Sequence, residues 1–266
     1  MRFGFCMAVE SEGNMRAAAA CGADYVEANF KMLADADRAK QKTVKDLVAA
    51  CQLSCEAANC FLPGELKTSG SERSDAALAD YIKRGLDFGC ELGLKTVVFG
   101  SGGARQIPEE LSFYEGMAQN IDFLQRIALP LFEQYGVTLV IEPLSPAECN
   151  FIHTVKEAAM LSYAVSLPHL AVLADIYHMK NAADGFGNIR ELKGIVRHAH
   201  ISNPQPFGEM KRIYPRLGEE YDYIGFLSAL TAAGCETCSV EASTKDFAQD
   251  APLALRALKD LKVTED

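Results

Sequence analysis

VTLVIEPL, residues 137–144, is a short apolar run rich in β-branched side chains that closes on Glu142-Pro143. Bounded by Gly136 and Pro143, it predicts a buried strand with a carboxylate standing at its C-terminal end. Three later segments end the same way: residues 170–176 carry Asp175, residues 196–202 carry His200, and residues 237–243 carry Glu241. Two glutamates, one aspartate and one histidine, each at a strand end, form a ligand set for one divalent metal. Oxygen donors dominate it, which suits Mn²⁺, Mg²⁺ or Co²⁺ better than a thiolate-seeking ion.

Outward from this stretch, strand and helix signals alternate. Upstream, the pattern predicts strands over 2–9, 25–30, 54–62 and 96–99, and helices over 12–21, 43–52, 75–92 and 109–135, the last bent at Pro130. Downstream, helices are expected over 154–165 with Thr154 as N-cap, at 189–194, over 223–233 and over 252–262, with a long loop at 203–220. Eight β/α units in about 250 residues have the rhythm of a (β/α)₈ barrel, here one α/β domain spanning residues 1–266. An open doubly wound sheet would place a glycine-rich turn after its first strand. That position holds Glu10-Ser11-Glu12, so the barrel is favoured. Active sites of such barrels lie at the C-terminal ends of the strands.

Composition narrows the function. With 49% hydrophobic residues the chain can bury a substantial core. A net charge of −10 argues against nucleic-acid and anionic-membrane partners. No apolar run approaches the ~20 residues that span a bilayer. The apolar start MRFGFCMAV lacks a small-residue cleavage pattern and reads as a strand. Nine scattered cysteines, an odd number, point to a reducing cytoplasm. Cys235 and Cys238 form a CxxC that runs into a strand and has no second pair, so it reads as two buried thiols. The chain has no Trp, which leaves sugar stacking to Phe or Tyr.

Ile141-Glu142-Pro143-Leu144, Asn150-Phe151 with Thr154, Asp175-Ile176-Tyr177-His178-Met179, His198-Ala199-His200 and Val240-Glu241 together resemble the xylose-isomerase-like barrels. The resemblance is to the sugar isomerase/epimerase group that includes the ketose 3-epimerases. It implies that Glu142, Asp175, His200 and Glu241 hold one divalent metal, with Mn²⁺ first and Mg²⁺, Co²⁺ or Zn²⁺ as alternatives. It also implies that Glu142 and Glu241 are the catalytic pair, moving protons on opposite faces of a sugar. His178 matches a substrate-contacting histidine and Glu148 a substrate-side glutamate. Relatives carry an arginine shortly before a proline in the loop after the strand-7 histidine. Arg212 and Arg216 flank Pro215 here, and Arg212 is the choice. Relatives are often homo-oligomers.

The loop after His200 is longer than in the ketose 3-epimerases, which opens a second outcome. The chain also resembles the barrel subunit of C-glycoside deglycosidases, lyases that act on keto-glycosides with a small partner subunit. A repair-endonuclease outcome would need a basic face, and five histidines with a charge of −10 count against it. A sugar-binding barrel without activity would show a degraded ligand set, and all four residues are present. Other residues read from position alone. Arg105, after Gly100-Ser101-Gly102-Gly103, would contact substrate if turned inward. His198 shares a strand face with His200 and would support it from one layer deeper. Glu27 either lines the mouth or is an exposed strand end. No glycine follows Glu241 to cradle a phosphate, which favours a non-phosphorylated sugar.

Overall fold

Short apolar or alternating segments pair in parallel and close on themselves in the computed structural model, which describes residues 1–205, 212–216 and 221–261. The strands are β1 Arg2–Cys6, β2 Tyr25–Asn29, β3 Cys55–Asn59, β4 Thr96–Phe99, β5 Thr138–Ile141, β6 Leu170–Asp175, β7 Val196–Ile201 and β8 Thr237–Val240. Each pairs with its neighbours in sequence, and β8 pairs with β1 to complete the barrel. Helices packed outside the strands make the (β/α)₈ architecture expected from the sequence. A two-stranded antiparallel ribbon, Asn203–Pro204 with Arg212–Ile213, follows β7.

Two cores result. The larger lies between strands and helices, where Phe61 meets Phe30, Phe99 and Phe132 with ring centroids 5.2–5.5 Å apart. Each such buried ring contributes about 1.5–3 kcal/mol. The smaller is inside the barrel and is divided. Val98, Val140, Ala171 and Leu173 of β4–β6 form an apolar cluster of their own. The opposite side is polar, with Tyr25 and Glu27 of β2, His198 and His200 of β7 and Ser239 of β8 all buried. Tyr25 reaches past β1 to put its hydroxyl 2.9 Å from Ser239 Oγ. Gly4 on β1 makes this possible, because a Cβ there would overlap the Tyr25 ring.

Caps set the element ends. Ser11 accepts a hydrogen bond from Asn14 N, and Gly22 and Gly234 end their helices in the left-handed region at φ 80° and 79°. Thr154 and Glu157 form a reciprocal capping box. Several boundaries differ from the sequence reading. The second long helix begins at Arg38 because Asp37 caps it, accepting from Lys40 N at 2.8 Å. Short helices Phe30–Asp35 and Ile176–Asn181 follow β2 and β6 directly, capped by the strand-end residues Asn29 and Asp175. The expected 109–135 helix is Phe113–Phe123, a π-helical turn Leu124–Ala128, and Leu129–Tyr135. Pro130 cannot donate a hydrogen bond and crowds the preceding turn, which the wider π turn relieves. The last helix is Phe247–Lys259, starting at its Asp246 cap and passing through Pro252. Its expected end at Lys262, and residues 206–211 and 217–220 of the expected loop, lie outside the described residues.

At the N-terminal end of the barrel, Arg2 donates to both oxygens of Glu56 at 2.8 Å and Lys95 Nζ donates to Oε2 at 3.0 Å. The Arg2 bond, more than the opposing effect of burial, holds the Glu56 carboxyl down at about 2. Among the described residues no helix is long and apolar enough to cross a membrane.

Candidate metal centre

The strand period places the site. Inward-facing Val140, Leu173, His198 and Ser239 are each followed two residues later by Glu142, Asp175, His200 and Glu241, so these four also point inward, one layer nearer the C-terminal mouth. Register aligns them: Asp175 pairs with His200 across β6 and β7, and Ser239 pairs with His200 across β7 and β8. One ligand atom from each of the four lies within 4.8 Å of all the others. His200 Nδ1 is 3.2 Å from Glu142 Oε1, 3.2 Å from Glu241 Oε2 and 4.0 Å from Asp175 Oδ2.

The surroundings fix each side chain. Gly100, at the end of β4, leaves the space that Glu142 fills, since a Cβ there would overlap its carboxylate. Asn59 at the end of β3 donates to Glu241 Oε1 at 3.0 Å. Asp175 accepts from Tyr177 N at 2.7 Å, which fixes its carboxylate at the start of a helix. Arg105, expected to face substrate, turns into the protein: its guanidinium donates to Phe99 O at 2.8 Å and Glu142 O at 2.7 Å and is 1% exposed. The glycine-rich turn before it is a short helix, Gly102–Arg105, that aims the side chain at carbonyls leaving the ends of β4 and β5.

The donor set is short of positive charge. Burial pushes the Glu142 and Asp175 carboxyls up. Burial also opposes ionisation of Glu241, but His200 and Arg212 hold it at about 2. The His200 imidazole is raised well above its ordinary value because Glu27 and Glu241 outweigh its burial. Arg212, on the ribbon, places NH1 2.8 Å from Asp175 Oδ2 and 2.7 Å from Glu241 Oε2, with its guanidinium 4.8 Å from the centre of the Tyr177 ring. A guanidinium thus stands in for positive charge among the carboxylates. Glu241 Oε2 is buried and, among the described residues, faces two cationic groups, Arg212 NH1 at 2.7 Å and His200 Nδ1 at 3.2 Å. Three carboxylates and one imidazole converging in a buried site, their charge met here by an inserted guanidinium, fit a divalent cation.

The other candidates fall at different depths. His178 is 2% exposed, and its Nδ1 accepts from Ser145 N at 3.1 Å. The ring proton is therefore on Nε2, which lies 3.9 Å from Asp175 Oδ2 and faces the centre. Burial keeps this ring below its ordinary pKa, hence neutral. Glu148 is exposed at the rim, where the Tyr177 hydroxyl donates to it at 3.4 Å. Arg216 points away and pairs with Asp250 at 3.6 Å. A cleft of about 650 Å³ opens beside Glu241 and is walled by Cys6, Met7, Asn29, Met32 and Asn59. Cys235 and Cys238 are buried free thiols, as read from the sequence.

Glu27 corrects the sequence reading. It is neither exposed nor at the mouth: at 0% exposure it lies between His198 and His200, 2.9 Å from Nε2 of each. Asn59 and Gly100 were also missed as parts of the site. Glu27 carried a signal, a carboxylate in the middle of the mostly apolar strand segment YVEANF, but its partners lie more than 170 positions away.

With the geometry in place, comparison with known proteins gives the family. Residues 15–263 match the model of the xylose isomerase-like TIM barrel, and the chain belongs to that family. No protein of curated function matches its sequence. Among solved structures, it is similar to a 3-keto-D-glucoside 4-epimerase from E. coli, at 20% identity and TM-score 0.80, covering 98% of this chain and 100% of that one. A D-allulose 3-epimerase from Methylomonas sp. is 18% identical with TM-score 0.79, covering 97% and 96%. An AP endonuclease of family 2 from Brucella melitensis is 20% identical with TM-score 0.73, covering 94% and 96%. At these identities the likeness is one of fold.

Proposed function

We propose that the protein is a divalent-metal-dependent sugar isomerase or epimerase, with Mn²⁺ the first candidate ion and Mg²⁺, Co²⁺ or Zn²⁺ the others. The observation that carries this reading is the convergence of Glu142, Asp175, His200 and Glu241 beside an open cleft. When bound, the ion supplies electrophilic polarisation of the substrate carbonyl. Everything else is done by the chain. Glu241 borders the cleft and is steadied by Asn59, so its carboxylate removes the proton from the carbon beside the carbonyl. The electron pair moves into an enediolate. Glu142, its carboxyl pushed up by burial, enters the cycle protonated and returns that proton, and exchange with water then resets both carboxyls. Delivery to the other face of the same carbon inverts it, and delivery to the neighbouring carbon moves the carbonyl. His178 Nε2–H donates to a substrate oxygen, Glu148 binds a substrate hydroxyl at the rim, and Arg212, beside Asp175 and Glu241, binds one nearer the ion. Arg105 supports the site from behind, through the Glu142 backbone.

The test is metal content of the purified protein, followed by incubation with free ketoses and 3-keto-glycosides in D₂O. The reading expects about one ion per chain and deuterium at a single carbon. Absence of ion binding after reconstitution would overturn it.

A second reading, a lyase on a keto-glycoside, uses the same proton abstraction but expels the β-substituent. The 650 Å³ cleft favours it, because it has room for an aglycone beside the sugar. Release of aglycone from a 3-keto-glycoside separates the two outcomes. Size measurement in solution distinguishes a homo-oligomer from a chain that requires a small partner subunit. The nine free cysteines support a reducing, cytoplasmic setting.

A further inference from the structure

The carboxylate of Glu27 is outside the candidate ligand set yet touches its one imidazole. Its Oε1 is 2.9 Å from His200 Nε2, and its Oε2 is 2.9 Å from His198 Nε2. All three side chains are at most 1% exposed. Behind them, His198 Nδ1 lies 2.9 Å from Thr237 Oγ1, and Ser239 Oγ, 3.5 Å from His198 Nε2, is tied to the Tyr25 hydroxyl. An ionised carboxylate only accepts hydrogen bonds, so Nε2 of each ring carries a proton. On His200 this leaves Nδ1 as the nitrogen whose proton an ion can replace, and Nδ1 is the atom facing Glu142 and Glu241.

We propose that Glu27 is a positioning residue that selects the Nε2–H form of His200 and aims its Nδ1 at the ion, with His198 and Thr237 holding Glu27 in place. The proposal rests on the metal reading above. A carboxylate behind a metal-binding imidazole both orients the ring and raises its donor strength. The same atoms offer one competing arrangement. Cys6, Glu27 and His200 also bring ligand atoms within 4.8 Å of one another, with Cys6 Sγ 3.8 Å from His200 Nε2. A second ion there would require His200 to give up both ring protons and Glu27 to lose its bond to that ring. The hydrogen-bonded arrangement needs neither.

The experiment measures Mn²⁺ affinity and stoichiometry for the full-length wild type, Glu27→Gln and His198→Asn, and ¹⁵N imidazole spectra of each protein loaded with Zn²⁺. The expected result is one ion per chain throughout, with affinity about 10–100-fold weaker in Glu27→Gln and a smaller loss in His198→Asn. The wild-type spectrum should show His200 bonded to the ion through Nδ1 with a slowly exchanging Nε2–H, which exchanges faster in the variants. A purely structural role would lower thermal stability without moving affinity or that proton. If Glu27→Gln does not fold, His198→Asn and the wild-type spectrum still decide. Equal affinities in wild type and variants, ion bonding through Nε2, or a second ion lost in Cys6→Ala would each overturn the proposal. A wild type that binds no divalent ion would instead overturn the metal reading, and this proposal with it.

Discussion

Gly100 shows how much one missing side chain does at this site. Its place at the end of β4 is filled by the Glu142 carboxylate, and alanine would overlap it. Overpacking of this kind costs about 1–3 kcal/mol. Gly100→Ala is therefore expected to weaken ion binding roughly 10–100-fold, because the added methyl displaces a proposed ligand. Titration with Mn²⁺ reads this directly. The carboxylates themselves are tested by Glu142→Gln and Glu241→Gln, which keep shape and remove charge. Each should lower turnover by on the order of 10²–10⁴ and reduce bound metal. Turnover within a few-fold of wild type in either variant would remove that residue from the proposed proton-transfer pair.

Among the elements, the strands divide labour between their two ends. The C-terminal ends carry the site, and the N-terminal ends carry stability, as the Arg2–Glu56–Lys95 cluster illustrates. Glu56 is held at about 2, below its ordinary value, by the Arg2 hydrogen bond and then by Lys95. A depressed carboxylate contributes stability that is present above pH ~4.5 and lost as pH falls toward ~2. Glu56→Gln should thus lower stability at neutral pH by about 1–3 kcal/mol and flatten the loss of stability over that acid window. Denaturant melts at pH 7 and pH 3 measure both, and equal pH slopes for variant and wild type would count against the assignment. The helices that follow β2 and β6 directly escaped the sequence reading because Asn29 and Asp175 end a strand and cap a helix at once. At such a junction the change of period has no loop to mark it.

For the whole molecule, the charge arrangement predicts linkage between ion and fold. The four candidate ligands come from β5, β6, β7 and β8, so an ion held by them ties half the barrel together. An ion at 100 times its Kd stabilises by about 2.7 kcal/mol, or roughly 5–10 °C for a chain of this size. A melting temperature that rises with Mn²⁺ and falls back with chelator is the expected outcome. The shift should fade in acid, where the carboxylates must lose protons to bind. Identical melting curves with ion and with chelator would exclude this coupling.

The sequence alone determined the barrel and the strand-end acids, because β/α alternation, glycine stops and inward parity are local properties of the chain. VTLVIEPL announced β5 and Glu142, and the capped helix after Thr154 is where its pattern placed it. Only the tertiary structure decided which side chains meet. Arg105 turned from the mouth to the Glu142 carbonyl, and Glu27 moved from the expected surface or mouth to the bond between two histidines. Closing the barrel sets β2 and β7 on opposite sides of β1 and β8, with Gly4 leaving the space that Tyr25 crosses. Contacts across a closed interior depend on register and curvature summed over the whole sheet, and no local stretch of sequence contains that sum.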